Sequence, residues 1–317
     1  MKEALVIAKN VKKYYPAGKS VNNIHRYVKA VDDVSITINH DEFVGVVGES
    51  GCGKSTLGRC LLKLTDPSEG NLIFEGNDYT HFEFNQMLSM RKKMQMIFQN
   101  PFSSFNPKMT MYSSLAEVGR YYKMPESELE GRIEQLVEYI NLDESILHRH
   151  PSELSGGQLQ RLAIARALIL EPSFIVADEP VSALDVSVQA QVLNIILDLR
   201  EREHMAMLFI SHDLTVVEHV CDEIVVMYLG AVVERGKTRD VIDHPAHPYT
   251  KALLASKPRM DPSDPPITLP LSGDIPNAID MPEGCRFWTR CPYANKCSRE
   301  QPVMKEVAPG HWSACFL

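Results

Sequence analysis

The feature that most constrains this chain is the run GESGCGKS at positions 48–55, in which three glycines precede a lysine and a serine. An apolar, strand-like run at 43–47 comes before it, and a helix-like run at 56–64 comes after it. Such glycines let the backbone turn its N–H groups inward, and the helix N-terminus behind them adds positive potential. In this strand–loop–helix context, the pattern predicts a P-loop that binds nucleotide phosphates in an α/β fold.

The positions of the predicted P-loop have distinct expected roles at a triphosphate. Lys54 is expected to reach the β- and γ-phosphates, the Ser55 hydroxyl to bind Mg²⁺ and the Thr56 hydroxyl to lie near the α-phosphate. For the adenine, Tyr15 is the first candidate for a stacking ring and Tyr14 the second, with an ordinary surface or core tyrosine as the alternative. The predicted ATP-binding residues of the loop are Gly48, Glu49, Ser50, Gly51, Cys52, Gly53, Lys54, Ser55 and Thr56.

Composition limits the class of protein. With 317 residues, 44% of them hydrophobic and 23% charged, the chain is long enough for one α/β domain with an appendage or for two domains. Its formal net charge of −8 argues against nucleic acid as a partner. We expect neither a signal segment nor a membrane span, because the longest nearly apolar run, 224–233, is too short. A cytosolic chain that reaches a membrane only through partners is therefore expected.

Two later runs predict buried strands that end in polar side chains. The run FIVADE at 174–179 predicts a parallel strand whose end faces the nucleotide. There Asp178 is expected to hold Mg²⁺ and Glu179 to polarise the attacking water, with a loop carboxylate as the alternative. The run LFISH at 208–212 predicts a second such strand, whose His212 would contact the γ-phosphate and orient the water, unless it is a structural histidine.

The segments between these strands predict further elements. LSGGQ at 154–158 opens a helix predicted at 159–170, which Ser155 can cap while the two glycines leave the helix N-terminus open to an anion. Apolar residues at helical spacing predict helices within 110–150. Prolines at 101 and 107 predict that the segment 100–107 is irregular. The other predictions are a strand and turn at 1–15, strands at 31–38 and 94–99, a loop at 16–29, an edge hairpin at 65–85, a turn and helix start at 182–185, and two short strands around Gly230 within 222–233.

In their order and spacing, the P-loop, Gln99, LSGGQ, FIVADE, SALD at 182–185 and His212 resemble the nucleotide-binding subunit of an ABC transporter, over roughly residues 3–260. The runs NPFSSFNPKMT at 100–110 and HPYTKALL at 247–254 resemble the dipeptide/oligopeptide importer branch. The insertion at 16–29 and the tail are similar to those of the second of two paired ATPases in such systems.

The resemblance implies a fold and a set of roles. The implied fold is an α/β P-loop NTPase with a mixed sheet core at 1–98 and 160–240, including an antiparallel β subdomain, a helical subdomain at 99–159 and a C-terminal extension at 241–317. The implied catalytic residues are Glu179, His212 and Gln99, and the implied Mg²⁺ ligands are Ser55, Gln99 and Asp178. A signature, which would contact the ATP of a second chain, is implied at Leu154, Ser155, Gly156, Gly157 and Gln158. A D-loop is implied at Ser182 and Asp185.

The resemblance also implies partners and an activity. Family members work as head-to-tail ATPase dimers, so a paralogous second ATPase subunit, two transmembrane permease subunits and, indirectly, an extracytoplasmic peptide-binding protein are expected. The implied activity is ATP hydrolysis that drives import of di- or oligopeptides at the cytoplasmic face of the membrane, with nickel or another small solute as the alternative substrate. A DNA-repair or ribosome-associated ATPase of the same fold is disfavoured, because the chain has one P-loop and lacks a heptad run between P-loop and signature.

The tail has a composition of its own. Seven prolines between 258 and 284 predict an extended linker. Four cysteines follow, Cys285, Cys291, Cys297 and Cys315, and four thiols can hold either zinc or a [4Fe–4S] cluster. The absence of C-x2-C pairs speaks against zinc, and the family resemblance favours iron–sulfur; unligated or oxidised thiols remain the third alternative. Cys52, Cys60 and Cys221 are expected to be small buried residues, and His244 and His247 turn and packing residues, with metal binding as the weaker alternative.

Overall fold

The computed structural model describes residues 3–19, 25–255, 273–294 and 297–317. These residues fall into two compact units. The first comprises 1–39, 43–81 and 209–317, and the second comprises 40–42 and 82–208. The first unit therefore contains the predicted P-loop and the cysteine tail, whereas the second contains the predicted signature and the acidic strand end.

The first unit is rich in strands. Its elements are β1 (Ala4–Lys19), β2 (His25–Asn39), β3 (Phe43–Val47), α1 (Lys54–Leu61), β4 (Glu69–Phe74), β5 (Asn77–Asp78), α7 (Leu214–Val220), β9 (Glu223–Tyr228), β10 (Ala231–Lys237), α8 (Thr238–Asp243), α9 (Pro248–Ala255), β11 (Lys305–Ala308) and β12 (His311–Ser313). A 3-10 turn at Trp288–Arg290 lies in the tail. The strand β8 (Ala206–Ser211) begins in the second unit and ends in the first.

An antiparallel sheet in the order β2-β1-β4-β5 forms one layer of this unit. The predicted loop at 16–29 is wrong in its described part, because Pro16 pairs with Tyr27 and Lys19 with His25. The strands continue into the insertion, and the polar sequence hid them because this end of β2 alternates only between exposed and half-buried residues. Residues 20–24 of the insertion lie outside the described residues. The hairpin predicted at 65–85 is confirmed as β4 and β5 at the sheet edge.

A second sheet of this unit carries the P-loop strand. Its strands run in the order β11-β12-β10-β9-β3, with β3 parallel to β9 and antiparallel pairing elsewhere. All five residues of β3 are buried, which is typical of a parallel strand covered on both faces and explains its continuous apolar sequence. The chain leaves β3 through the glycine-rich loop and enters α1, so the predicted strand–loop–helix order is confirmed.

The second unit is mainly helical. Its elements are α2 (Phe84–Lys93), β6 (Met94–Ile97), α3 (Met111–Tyr121), α4 (Glu126–Tyr139), α5 (Gly156–Leu168), β7 (Phe174–Asp178) and α6 (Val186–Glu203), with 3-10 turns at Pro101–Ser104, Glu144–His148 and Pro151–Glu153. β6 and β7 are parallel, with Ile97 opposite Ala177, and β8 is the next strand beyond β7. Helix α5 begins three residues earlier than the predicted 159, so both signature glycines belong to its first turn.

The remaining predictions concern the membrane and the tail. In the part of the chain that the structure describes, each helix is too short or too polar to cross a bilayer. Five of the seven prolines of the predicted linker fall outside the described residues. Cys52, Cys60 and Cys221 are buried, as predicted. His247 is buried at the start of α9, and His244 follows the end of α8, so the prediction of turn and packing residues is confirmed.

Candidate functional site

The P-loop of the first unit has a backbone that only glycine can adopt at its tightest point. Gly53 has φ of 104°, and a Cβ atom there would lie 1.9 Å from the carbonyl oxygen of Ala30. The Cys52 N–H donates to the backbone carbonyl oxygen of Glu49 at 3.2 Å, and this hydrogen bond closes a turn within the loop. Gly53 stands directly before α1, so the loop brings its N–H groups to the positive end of that helix.

Lys54 places its charge inside the loop rather than in solvent. Its side chain is buried, and Nζ donates to the carbonyl oxygens of Gly48 at 2.7 Å and Glu49 at 3.0 Å. An ammonium held by neutral carbonyls keeps its full charge available to an anion that enters the loop. This arrangement fits the predicted contact of Lys54 with the β- and γ-phosphates. Ser55 and Thr56 follow in the first turn of α1, both half-buried.

Three side chains that the sequence did not point out hold the P-loop from outside. The Arg290 guanidinium forms a two-pronged ion pair with the Glu49 carboxylate, with N–O distances of 2.6 and 3.0 Å. The Tyr249 hydroxyl accepts the Glu49 N–H at 2.8 Å, and the Tyr228 hydroxyl lies 3.4 Å from Arg290 Nη1. The hydrogen bond to Glu49 raises the pKa of Arg290 further above its already high value. Because Arg290, Tyr249 and Glu49 lie far apart in the sequence, no local sequence pattern predicts these contacts.

The two candidate tyrosines differ in their surroundings. The Tyr14 hydroxyl donates to Asp32, and burial followed by that hydrogen bond raises the pKa of the phenol. Burial alone would raise the pKa of the Asp32 carboxyl, but the Tyr14 hydrogen bond and Arg286 outweigh it and lower that pKa. Tyr15 is 37% exposed, with Lys13 Nζ 5.1 Å from its ring centroid. Tyr14 is thus engaged in the fold, while the Tyr15 ring is accessible to a base, which favours Tyr15 as the stacking candidate.

His212 lies in the first unit, in the residue directly after β8, where it is exposed. The next residue, Asp213, caps α7 by accepting the Thr215 N–H at 2.8 Å. The cap fixes the turn in which His212 stands. The predicted strand-end position of this histidine is therefore confirmed, and its contact with a phosphate stays a prediction.

The second unit contains the predicted carboxylates. Asp178 is the buried last residue of β7, and Glu179 follows in a left-handed conformation with φ of 47°. Gln99 Nε2 donates to Glu179 Oε2 at 3.0 Å, although 80 residues separate them. A left-handed backbone is uncommon for glutamate, and such conformations concentrate at functional sites. The structure therefore brings together two of the three predicted catalytic residues within one unit.

The predicted signature opens α5 of the same unit. Ser155 caps the helix, because its Oγ accepts the Gln158 N–H at 3.3 Å. In turn, Gln158 Oε1 accepts the Ser155 N–H at 3.0 Å. This capping box leaves Gly156 and Gly157 in the first turn, where N–H groups lack partners within the helix. Of the predicted D-loop, Ser182 Oγ donates to the Glu179 carbonyl at 3.1 Å, and Asp185 stands at the position that caps α6.

The tail cysteines lie within electrostatic range of one another. Burial raises the pKa of the Cys285 thiol to about 11, and the other three thiols also raise it. The Cys285 N–H donates to the Cys297 carbonyl at 2.8 Å. In the described ranges, however, no three His, Cys, Asp or Glu side chains are arranged so that they would hold a metal ion. The four cysteines thus suit a four-thiolate site in number and chemistry but are not arranged as one in the described residues, and the predicted cluster stays a prediction.

Two family models match the sequence. The model described as "ABC transporter" matches residues 31–182, and the one described as "Oligopeptide/dipeptide transporter, C-terminal region" matches residues 233–297. The dipeptide transport ATP-binding protein DppF of Haemophilus influenzae is 44% identical, over 98% of this chain and 96% of DppF. The chain belongs to the ABC ATPases of the oligopeptide/dipeptide transporter family. The oligopeptide transport ATP-binding protein AppF of Bacillus subtilis is 45% identical to this ABC ATPase, over 99% of this chain and 98% of AppF.

Solved structures agree with the fold. The dimeric structure of a post-hydrolysis state of the ATP-binding cassette MJ0796 bound to ADP and Pi matches with a TM-score of 0.67 and 28% identity. It covers 74% of this ABC ATPase and 99% of the MJ0796 chain. CbiO1 from Clostridium perfringens gives the same TM-score at 22% identity, which bears on the fold alone. The predicted α/β P-loop fold and the predicted class of enzyme, an ABC-type ATPase, are confirmed.

Proposed function

We propose that this ABC ATPase hydrolyses ATP to power import of di- or oligopeptides. The observation that carries the proposal is the joint match of the ABC transporter model and the oligopeptide/dipeptide C-terminal region in one chain. Relatives named for dipeptide and oligopeptide transport support it over nearly the full length. Nickel or another small solute is the alternative substrate. Uptake of labelled dipeptide, and not of nickel, by vesicles that contain the complete transporter would decide between them.

The residues proposed to bind ATP and Mg²⁺ belong to both units, and each unit contributes its own proposed roles. In the first unit, residues 48–56 hold the phosphates, Lys54 neutralises the β- and γ-phosphates, and Tyr15 stacks on adenine. Ser55 is the proposed Mg²⁺ ligand of the first unit. In the second unit, Asp178 and Gln99 are proposed Mg²⁺ ligands and Glu179 is the proposed general base. The hydrogen bond from Gln99 Nε2 to Glu179 Oε2, 3.0 Å long, supports this assignment, because an amide donor holds the carboxylate in place.

The signature needs a second ATPase chain in this proposal. The first turn of α5 presents N–H groups that suit the γ-phosphate of an ATP bound by the partner chain, and His212 contacts the γ-phosphate of its own chain. Closure of the head-to-tail dimer completes the phosphate cage, and hydrolysis removes the shared phosphate, so the dimer reopens. We propose a paralogous second ATPase as partner, hence a heterodimer.

Permease subunits would hold the ATPase at the cytoplasmic face of the membrane. The segment 99–112 is the proposed docking place for a permease. It contains the 3-10 turn Pro101–Ser104, in which Phe102 is 51% exposed. An exposed phenyl ring on an irregular segment suits the apolar face of a short partner helix. The proposed peptide-binding protein acts outside the membrane and connects to this chain only through the permeases.

The domain boundaries are also a proposal. We propose an ATPase core at 1–98 and 160–240, a helical subdomain at 99–159 and a C-terminal extension at 241–317.

The substitution Glu179→Gln tests the catalytic assignment. In the complete transporter, this variant is expected to bind Mg·ATP normally and to lose turnover by about a hundredfold or more, because the amide cannot accept the proton from water. ATP should then trap a closed ATPase dimer, measured by crosslinking across the signature. Glu201→Gln is the matched control, since Glu201 is an exposed residue of α6. Unchanged steady-state hydrolysis in Glu179→Gln would contradict the role of this carboxylate.

We further propose that Cys285, Cys291, Cys297 and Cys315 hold a [4Fe–4S] cluster, with zinc as the alternative. Four thiolates suit either metal centre. The support is the clustering of four cysteines within residues 285–317 and the hydrogen bond from the Cys285 N–H to the Cys297 carbonyl at 2.8 Å. Such a centre would supply folding free energy to a tail with little core of its own.

A further inference from the structure

Two arginines of the tail, each adjacent in sequence to a cysteine, reach the nucleotide-binding part of the first unit. Arg290, which precedes Cys291, pairs with Glu49 of the P-loop. Arg286, which follows Cys285, donates from Nη2 to Asp32 Oδ2 at 2.6 Å and from Nη1 to the Leu229 carbonyl. The Arg290 side chain is only 5% exposed and that of Arg286 10%. Both ion pairs are therefore built into the fold rather than resting on its surface.

Arg290 contacts the P-loop at Glu49, a residue that three side chains hold. The Arg290 guanidinium donates to both carboxylate oxygens of Glu49, the Tyr249 hydroxyl accepts the Glu49 N–H, and Lys54 donates to the Glu49 carbonyl oxygen. Two parallel hydrogen bonds between planar groups fix orientation as well as distance. Glu49 is thus held in both its side chain and its backbone, and the backbone direction of a P-loop decides where its N–H groups point.

The Arg286 contact reaches the other side of the same loop through hydrogen bonds. Asp32 also accepts from the Tyr14 hydroxyl, and its N–H donates to the Gly230 carbonyl at 2.8 Å. The Gly230 N–H in turn donates to the carbonyl of Cys52 in the P-loop at 2.9 Å. The tail is therefore connected to the loop at Glu49 directly and at Cys52 through two intermediate residues.

Charge explains why the Arg290 contact matters for binding. A triphosphate that enters the loop brings several negative charges close to Glu49, which lies next to Gly48 in the phosphate nest. Without a counter-charge, a half-buried carboxylate there would repel the phosphates, and a low local dielectric strengthens that repulsion. Arg290 neutralises Glu49 and leaves the positive charge of Lys54 uncompensated for the ligand.

We propose that the C-terminal tail is a working part of the ATP site, in which Arg290 is a positioning residue that neutralises Glu49 and fixes the P-loop. The inference rests on the proposed ATP site at 48–56. It adds that the folding of the tail sets the affinity for ATP. Arg290 ends the 3-10 turn Trp288–Arg290, whose N–H groups bond to carbonyls at 285 and 287. Any change that unfolds this turn therefore withdraws the guanidinium from the loop.

Titration of the full-length chain with Mg·ATP tests the proposal. Arg290→Ala is expected to raise the Kd for Mg·ATP about tenfold, because it leaves the Glu49 carboxylate unpaired beside the phosphates. Arg290→Lys should give an intermediate Kd, since an ammonium keeps the charge but loses the two-pronged geometry. The matched control is Arg299→Ala, which removes an exposed arginine of the same tail and should leave the Kd unchanged.

A double-mutant cycle with Glu49→Gln separates positioning from a purely structural role. If Arg290 acts through the Glu49 charge, the change Arg290→Ala should alter the Kd less than about twofold in the Glu49→Gln background. If Arg290→Ala raises the Kd for Mg·ATP tenfold in both backgrounds, or leaves the Kd unchanged in the wild-type background, the proposal is overturned. A lowered melting temperature with an unchanged Kd would show a structural role alone and overturn it equally.

Two further arms keep the test decisive. If Arg290→Ala does not fold, the same cycle is read with Arg290→Lys. Lys54→Ala reports on the proposed ATP site itself and should abolish measurable Mg·ATP binding. If the wild-type chain fails to bind Mg·ATP, or Lys54→Ala binds as well as wild type, the ATP-site assignment fails and takes the inference with it. If the wild type binds and Arg290→Ala binds equally well, only the role of the tail fails.

Discussion

His247 illustrates how a single buried residue makes the fold sensitive to acid. Its ring lies 5.8 Å from that of Phe287, and its Nδ1 accepts the Tyr249 N–H at 3.1 Å. Burial lowers the pKa of the imidazole from 6.5 to about 4. The ring is therefore neutral in the folded chain near neutral pH, and its neighbour Tyr249 is the residue that supports Glu49 of the P-loop.

The sign of the resulting pH dependence follows from the two pKa values. Between about pH 6.5 and 4 the unfolded chain binds a proton that the folded chain does not, so the free energy of unfolding falls as the pH falls. For this group the loss between pH 7 and pH 5 is about 2 kcal/mol. His247→Asn keeps an acceptor for the Tyr249 N–H but removes the titrating ring. Urea unfolding at both pH values should therefore show a smaller acid loss in this variant; equal losses would contradict the assignment.

At the scale of elements, two helical glycines have opposite surroundings. Gly157 lies in the first turn of α5, where an added Cβ would come within 2.3 Å of Val188 Cγ1 on α6. Gly131 lies exposed in α4, and an added Cβ there meets nothing within 4 Å. The same substitution is therefore a helix-propensity change at one site and a steric change at the other.

Glycine-to-alanine substitutions at these two sites should change stability in opposite directions. Gly131→Ala is expected to stabilise the chain by about 0.5–1 kcal/mol, because alanine loses less backbone entropy in a helix. Gly157→Ala is expected to destabilise it by about 1–3 kcal/mol, because the stiff valine side chain must shift. Denaturant melts of both variants beside wild type give the comparison. Stabilisation by Gly157→Ala would show that α5 and α6 are packed less closely than described.

For the whole molecule, the tail is the part whose composition fits a metal centre. Removal of the metal would remove folding free energy from the segment that carries Arg286 and Arg290. Protein purified without oxygen is expected to be brown and to contain about four iron atoms per chain. Cys291→Ser should bleach the colour, whereas Cys221→Ser, outside the tail, should not. Zinc in a colourless wild type would support the alternative, and a metal-free wild type would contradict both.

How far the sequence predicts this molecule depends on the distance over which each feature is encoded. The P-loop, the strand end at Asp178 and the capped start of α5 each lie within about ten consecutive residues, so spacing and chemistry identify them. The loop predicted at 16–29 is wrong because the described strands there are polar and largely exposed. They are held by pairing with each other, and no alternation of apolar residues in the sequence indicates that pairing. The helix start at Gly156 was placed too late because glycine is a poor helix former in propensity alone.

By itself, then, the sequence determined the phosphate-binding loop, the class of fold and the residue types of the proposed site, since glycine conformation, strand burial and helix capping act on neighbouring residues. Only the tertiary structure decided that Arg290 pairs with Glu49 across 241 positions of the chain, that Gln99 bonds to Glu179, and that Tyr14 is engaged while Tyr15 is accessible. The physical reason is that an ion pair or a hydrogen bond depends on distance in space, and a linear sequence carries no record of which distant charges the packed chain brings together.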